Sequence, residues 1–573
     1  VTPLPSGAAA GGQLSPGWRF NMVGAIYKGP APARWMPPLQ VRTSLNGTSW
    51  SAWQAVSFDR SGSPGSGAWL IGDPLWVGEA QYLQYRLTRA TPAAKVSFSF
   101  INTLGDATMG DRLAGVVRHA VAAVASLGLR FSGTAKAAVP QPTIVTRAQW
   151  GADESLRKGS PGYATVRMAF IHHTVSGNDY TQAQAPGVVR AIYYYHAVTC
   201  GFNDIGYNFL IDRYGTIYEG RYGGITKGVI GAQTLGFNTG STGIALIGTF
   251  TDVAPTSQAI ASLEYLLAWK LDLTHVNPTS MVSMVCGTTD KYKAGQTVQL
   301  PAIAGHRDAC NTDCPGTQLY ALLPQIRAVV ADQGQPKIYG YLLSNPAISP
   351  NGDGVDDSTT VTYAISQAAD WTVTVTAADG TVVRTYAGNG QFVSQTWDGL
   401  DASGVPVPDG TYTITGTATC PANSATPGAA ATPGVATVVV DRTPPVFKGL
   451  LVRQPVVNPE GTGAGDRVGI SYQLSEDGSV QVLVKNAAGA EVRTLQPWTL
   501  VSADAHSTSW DGKITSNGTL VPAPEGRYTI EADGRDPAGN FCSATRTVVV
   551  DRTIHVASTQ PLYLSPNGDG RQD

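Results

Sequence analysis

At 573 residues the chain is too long for one hydrophobic core and calls for roughly three to five domains. Charged residues make up only 14% of it, beside 65 Gly and 37 Pro, a composition that favours turn-rich β structure over long charged helices. A net charge of −2 without any basic run excludes a nucleic-acid footprint, and the most apolar stretch, AGVVRHAVAAVASLGL, is broken by Arg118 and His119, so no membrane span is expected.

The chain begins at Val1 with no charged-then-apolar leader, as a mature processed N-terminus or a trimmed chain would. Its six cysteines suit an oxidising compartment but are too sparse for a disulfide scaffold, so export is expected. Residues 1–102 read as a β-sandwich. VRTSLNGTSWSAWQAV carries an Asn46-Gly47 hairpin signal, and KVSFSF puts Val96, Phe98 and Phe100 on one face. Trp50 and Trp53, three apart on a strand, would face opposite sides, which makes one of them core rather than a sugar-stacking platform. Residues 103–142, ending in AKAAVPQP, read as a linker.

Residues 143–332 change texture. VRMAFIHHT (166–174) is a buried strand, and TQAQAPGVVRAIYYYHAV a helix with Val188, Ile192 and His196 on one stripe. IGYNFLID and TIYEG form a hairpin around Arg213-Tyr214-Gly215, STGIALIGTF is a buried strand, and Thr256 starts the helix TSQAIASLEYLLAWKL. Strands alternating with helices mean an α/β core with a mixed sheet flanked by helices.

The C-terminal third repeats itself at a period close to 110 residues. SPNGDGVDD (349–357) returns as SPNGDGRQD (565–573), WDG recurs at Trp397 and Trp510, DGTY (409–412) answers EGRY (525–528), and VVVDRT occurs at 438–443 and 548–553. Alternating runs around Asp379-Gly380 mark hairpins. Two tandem β-sandwiches follow, 333–443 and 444–553, with 554–573 starting a third. They resemble the immunoglobulin-like domains of flagellar hook-capping proteins. Asn351, Asp353 and Asp357 present oxygens in the manner of a calcium loop, although the twelve-residue pattern with its terminal Glu is absent and a turn accounts for the same residues.

Chemistry concentrates in GHRDACNTDCPG (305–316), which is either a disulfide corner or a metal loop. His306 and Cys314 offer two ligands, and a zinc site that keeps one position for water needs a third, for which His172 and His173 are the conspicuous sources. Adjacent strand residues face opposite sides, so only one of the pair can reach a given cleft, and periodicity leaves the choice open. Each residue taken singly is also what an ordinary core looks like: His196 suits a hydrogen-bonded core or groove position, and His119 and His275 carry no partner pattern.

The central region resembles the type 2 N-acetylmuramoyl-L-alanine amidases and peptidoglycan recognition proteins through QWGADESLR (149–157), FIHHT (170–174), DIGYNFLIDRYGTIYEGR (204–221), GFNTGSTGIALIG (236–248) and GHRDACNTDCPG followed by TQLYALL, all in the family's order. The resemblance implies zinc held by His172, His306 and Cys314. It implies that Tyr207 supports the activated water and the developing oxyanion, and that Thr312 helps hold the reacting carbonyl. It also implies a groove lined by His173, His196, Asn208, Arg221, Gln233 and Asn238. The substrate would be peptidoglycan, cut between the lactyl group of N-acetylmuramic acid and L-alanine by a secreted or wall-associated enzyme, with the β domains free to meet wall or surface polymers. Family members lacking the cysteine bind without cutting, so a non-catalytic wall-binding or adhesion protein is the competing expectation. Two departures stand out. Gln233 occupies the place of the family's histidine in GAH. Cys310 lies inside the ligand loop, and with Cys314 on the metal it is left among Cys200, Cys286, Cys420 and Cys542 with Cys200 or Cys286 as alternative partners.

Overall fold

A computed structural model describes residues 2–3, 12–28, 38–56, 58–59, 69–72, 74–88, 95–102, 139–422, 424, 427–460 and 466–553. Most of the expected linker (103–138) and the expected start of a third repeat (554–573) lie outside the described residues.

The N-terminal strands pair into two sheets. One runs Thr2–Pro3, Lys95–Ile101, Phe20–Lys28, Trp69–Gly72, Phe58–Asp59, with Leu75–Ala80 also on Phe20–Lys28. The other runs Gln13–Leu14, Tyr82–Leu87, Leu39–Ser44, Gln54–Ala55. The alternation in KVSFSF is used as expected: Val96, Phe98 and Phe100 turn to a core shared with Tyr27, Leu83 and Tyr85. At the turn Gly47 takes φ 77°, and Asn46 Oδ1 accepts the N–H groups of Thr48 and Ser49. The expectation for Trp50 and Trp53 fails. Both follow the end of the Leu39–Ser44 strand, where strand alternation no longer applies, and both are half-buried against one guanidinium, with Arg42 Cζ 5.3 and 4.6 Å from their ring centroids. Arg86 covers Trp53 as well, at 4.2 Å.

The central sheet has the order Ile144–Val145, Ile217–Glu219, Phe209–Ile211, Ser241–Leu246, Met168–His173, Ile303–Gly305. Only the Phe209–Ile211 and Ile217–Glu219 hairpin is antiparallel. Met168–His173 and Ser241–Leu246 are buried at every residue because helices cover both faces. Ser257–Asp272, whose cap Thr256 Oγ1 accepts from Ala259 N–H, and Thr317–Asp332 pack on one face around Leu263, Leu267, Leu319 and Leu323. On the other face Ala185–Tyr194 packs through Val188 and Ile192. The expected stripe continues to His196, which is also buried. Tyr195–Thr199 winds as a π turn, and both Tyr195 and His196 stay buried there.

The repeats at 338–440 and 447–550 carry matching anchors. Trp397 and Trp510 each donate an indole N–H to the carbonyl three residues on, at Leu400 and Lys513. Each sits 5.3 Å from a tyrosine, Tyr412 or Tyr528, whose hydroxyl donates to the carbonyl of Pro408 or Pro524. The second repeat separates into a three-stranded and a five-stranded sheet, whereas in the first the long Thr359–Ala377 strand, irregular between Ala364 and Ala369, joins both layers. The Asp379-Gly380 hairpin forms as expected, with Gly380 at φ 89°. The oxygen-rich loop is closed by its own backbone amides. The Asp357 carboxylate accepts the N–H groups of Asn351, Gly352 and Gly354, which hold its pKa down, so the turn accounts for these residues.

At the junction between the repeats, Asn540 Nδ2 donates to the Asp441 carbonyl, and Asp441, Glu476 and Asp536 bring carboxylate oxygens within 4.8 Å of one another. Burial and then the Asp536 and Asp441 charges push the Glu476 pKa up. The ionised form is therefore disfavoured on folding; this penalty is present above the folded pKa and relieved as pH falls through it. Glu476→Gln is expected to raise the melting temperature at pH 7, with the gain shrinking toward acidic pH, as scanning calorimetry in metal-free buffer would show.

Candidate metal centre and active site

The two histidines of FIHHT lie at the C-terminal end of a central, mostly parallel sheet strand, where open α/β sheets place their ligands. His172 Nδ1 points at Cys314 Sγ, 3.6 Å away, and its ring centroid is 4.6 Å from that of His306. The donor atoms of His172, His306 and Cys314 all lie within 4.8 Å of one another, and the three residues are 1%, 3% and 8% exposed. Zinc bonds of roughly 2.0–2.3 Å in a tetrahedron separate neighbouring donors by roughly 3.3–3.8 Å, so the observed spacing and the two-imidazole, one-thiolate chemistry fit that ion. Burial, followed by the charges of His306 and His173, holds the His172 pKa well below the usual histidine range, and a neutral imidazole is the form that coordinates.

The surroundings orient these donors. His172 Nε2 meets Thr234 Oγ1 at 3.3 Å, and the Thr234 N–H donates to Asn238 Oδ1 at 2.8 Å. A bond to the outer ring nitrogen fixes the tautomer and leaves Nδ1 for a metal. His306 opens a short helix directly after Ile303–Gly305, and Asp308 ties that turn down by accepting from Gly305 N–H (2.8 Å) and Tyr320 O–H (2.7 Å). The loop returns because Arg307 N–H donates to the Cys314 carbonyl, and Cys314 N–H donates to Thr312 Oγ1 at 3.2 Å. Gly316 is required at its exit: φ is 89°, and a Cβ there would lie 2.3 Å from the Phe250 carbonyl carbon.

Tyr207 flanks the centre with its ring 5.4 Å from His172 and 5.4 Å from His196. His196 accepts the Gly206 N–H, and burial followed by the Arg221 charge pushes its pKa down to about 3. His173 faces away from the trio and accepts from Phe250 N–H; burial first, then His306 and Arg307, brings it to about 3. Among the expected groove residues, Asn208 spans the sheet, donating to the Val229 carbonyl and accepting from Gly243 N–H. Gln233 is buried in the wall and donates to Ser241 Oγ, and Arg221 donates to the Ile205 carbonyl. Asn238 acts through Thr234. Of the two alternative partners for Cys310, Cys286 shares its buried cluster, whereas Cys200 packs against another.

Thr234, Asp308 and Arg147 escape a motif reading. The first two lie one and two residues from singled-out positions, in GAQT and GHRD. Arg147 is visible only in three dimensions, where it bonds Glu154, Asp204 and the Gly220 carbonyl.

Residues 162–317 match the N-acetylmuramoyl-L-alanine amidase family, and residues 346–421 and 457–538 match the FlgD Ig-like domain. The chain is 32% identical over 178 residues to peptidoglycan-recognition protein SC2 of Drosophila simulans, covering 31% of this chain and 83% of that protein. It is 32% identical over 188 residues to the human N-acetylmuramoyl-L-alanine amidase, covering 32% of this chain and 28% of the human protein. The solved Drosophila peptidoglycan recognition protein SD is 30% identical, covering 32% of this chain and 94% of that one, with a TM-score of 0.26. With these motifs in register and this sheet beneath them, the chain belongs to the family of peptidoglycan recognition proteins and N-acetylmuramoyl-L-alanine amidases, and it carries FlgD-type Ig-like domains behind that unit.

Proposed function

We propose that this protein is an exported, zinc-dependent N-acetylmuramoyl-L-alanine amidase that hydrolyses the amide between the lactyl group of N-acetylmuramic acid and L-alanine in peptidoglycan. The observation that carries the reading is the buried convergence of His172, His306 and Cys314 beside Tyr207. Relatives without the cysteine are expected only to bind, so the retained thiolate speaks against the non-catalytic alternative. The flanking units at 1–102, 333–443 and 444–553 then serve to hold the enzyme at wall or surface polymers.

Zinc, when bound, supplies Lewis acidity toward the scissile carbonyl and brings the pKa of a water near to 7, at roughly neutral pH. The chain's own residues do the rest. Tyr207 offers a hydroxyl to the oxygen that gains negative charge, and a donor of this kind typically contributes about 10²–10³ in rate. Thr312 is pinned beside Cys314 by its N–H and presents a second neutral hydroxyl on the same loop. Burial of the three donors keeps bulk water from competing for them.

Digestion of defined muropeptides, with products read by mass spectrometry, tests the proposal. It requires a free lactyl terminus and a peptide beginning with L-alanine; a zinc-replete protein that binds muropeptide without cutting it would favour the binding reading. Thr234→Val removes the hydroxyl that meets His172 Nε2. It is expected to weaken zinc affinity about 10- to 100-fold in a chelator-competition titration, with the melting temperature of the apoprotein little changed.

A further inference from the structure

The N-terminal sandwich and the hydrolytic layer share side-chain packing at two places. Met22, Trp76 and Ile101 belong to the same buried cluster as Val188, Ile192 and Tyr195. Val175, two residues beyond His173, is buried instead in the sandwich core with Phe20 and Leu75. It holds φ 54°, a region that β-branched residues seldom enter, at the end of the strand that carries His172.

The second contact runs through the π turn. Tyr195 donates its hydroxyl to the Gly72 carbonyl, and its ring lies over Gly24, where a Cβ would sit 1.9 Å from Tyr195 Cε2. Its neighbour His196 points the other way. It accepts the Gly206 N–H at 3.1 Å and packs edge-on against Tyr207, with 5.4 Å between centroids and 64° between planes. Such single-turn π segments recur at functional sites.

We infer that the N-terminal sandwich is a positioning element of the hydrolytic centre: by seating Tyr195 on Gly24 and Gly72 it fixes His196, which fixes the Gly206-Tyr207 backbone and the Tyr207 ring. Tyr195 and His196 are positioning residues on this account, and the sandwich is more than a tethered wall-binding module. The inference rests on the amidase reading for its kinetic consequence, but not for its structural one.

The test uses the full chain with three variants. Gly24→Val fills the seat of the Tyr195 ring, on a strand where valine is otherwise favoured. Tyr195→Phe keeps the ring and removes the bond to Gly72. Leu83→Ala opens a hole in the sandwich core at a residue that the seat does not use. Gly24→Val is expected to lower kcat on a muropeptide about ten-fold or more with KM within about two-fold, and Tyr195→Phe to lower kcat by about three-fold. Leu83→Ala is expected to melt earlier yet keep kcat within about two-fold of wild type. The readout independent of turnover is amide hydrogen exchange in the peptide containing Gly206, which should quicken about ten-fold in Gly24→Val and stay as wild type in Leu83→Ala.

A folded Gly24→Val protein with wild-type kcat and wild-type Gly206 exchange overturns the inference, as does equal loss of kcat in all three variants. Should Gly24→Val fail to fold, wild-type kcat and Gly206 exchange in Tyr195→Phe overturn it on their own. A wild-type protein that cleaves no muropeptide defeats the amidase reading instead, and the Gly206 exchange still decides the coupling.

Discussion

Cys314→Ala is expected to abolish amide hydrolysis while leaving muropeptide binding in place. The substitution removes one of three donors and the only anionic one, so the remaining imidazoles of His172 and His306 cannot close a tetrahedral site. Metal-assisted carbonyl activation is worth several kcal/mol, and at 1.36 kcal/mol per decade its loss corresponds to about 10³-fold or more in kcat/KM. Binding is expected to persist because Cys314 is only 8% exposed and alanine deletes only the sulfur. Zinc content by elemental analysis, turnover of a defined muropeptide and binding by calorimetry separate these effects. A variant that keeps both zinc and turnover would show that the centre lies elsewhere.

The second large effect concerns stability. Arg147 is 5% exposed at its side chain and meets Asp204, also at 5%, through Nη1 at 3.1 Å. It further bonds Glu154 at 2.7 Å and the Gly220 carbonyl, and it lies against the Trp150 and Tyr193 rings. Arg147→Leu keeps much of the volume but removes the guanidinium that bonds Asp204, leaving only the Arg221 charge near that buried carboxylate. Removing one partner of such a pair typically costs about 3–5 kcal/mol. The loss should appear in urea unfolding of the central unit as a lower midpoint with an unchanged slope. It should also reach the site, since Asp204 accepts the N–H groups of Ile205 and Tyr222 on either side of Tyr207. A midpoint within error of wild type would mean that Asp204 is solvated after all.

The two predictions mark where sequence reading succeeds and where it stops. His306 and Cys314 stand eight residues apart in one loop, with a conspicuous histidine pair upstream, so the ligand types and the motif order were legible. So were the repeats, because the paired tryptophans, tyrosines and DRT ends recur at one spacing. The Trp50 and Trp53 reading failed since it presumed a strand that ends at Ser44, and the packing of both rings on Arg42 depends on where the pairing stops. The oxygen-rich loop looked suited to calcium because composition records acceptors but not the backbone amides that occupy them. His196 was placed on the correct stripe for an α-helix, but the helix changes winding at Tyr195.

Sequence by itself determined the element types of the central layer, the tandem sandwiches and the residue types on offer as donors, because hydrophobic period, turn residues and side-chain chemistry are local properties of the chain. It left open which histidine of the pair faces the cysteine, since alternation says only that the two point apart. The tertiary structure decided that: the parallel pairing of Met168–His173 with Ser241–Leu246 and Ile303–Gly305 sets which face of the strand looks toward the Cys314 loop. It also decided that Thr234 braces His172 and that Arg147 holds Asp204. These are contacts between residues 57 or more positions apart, and only closure of the sheet brings such residues within reach of one another.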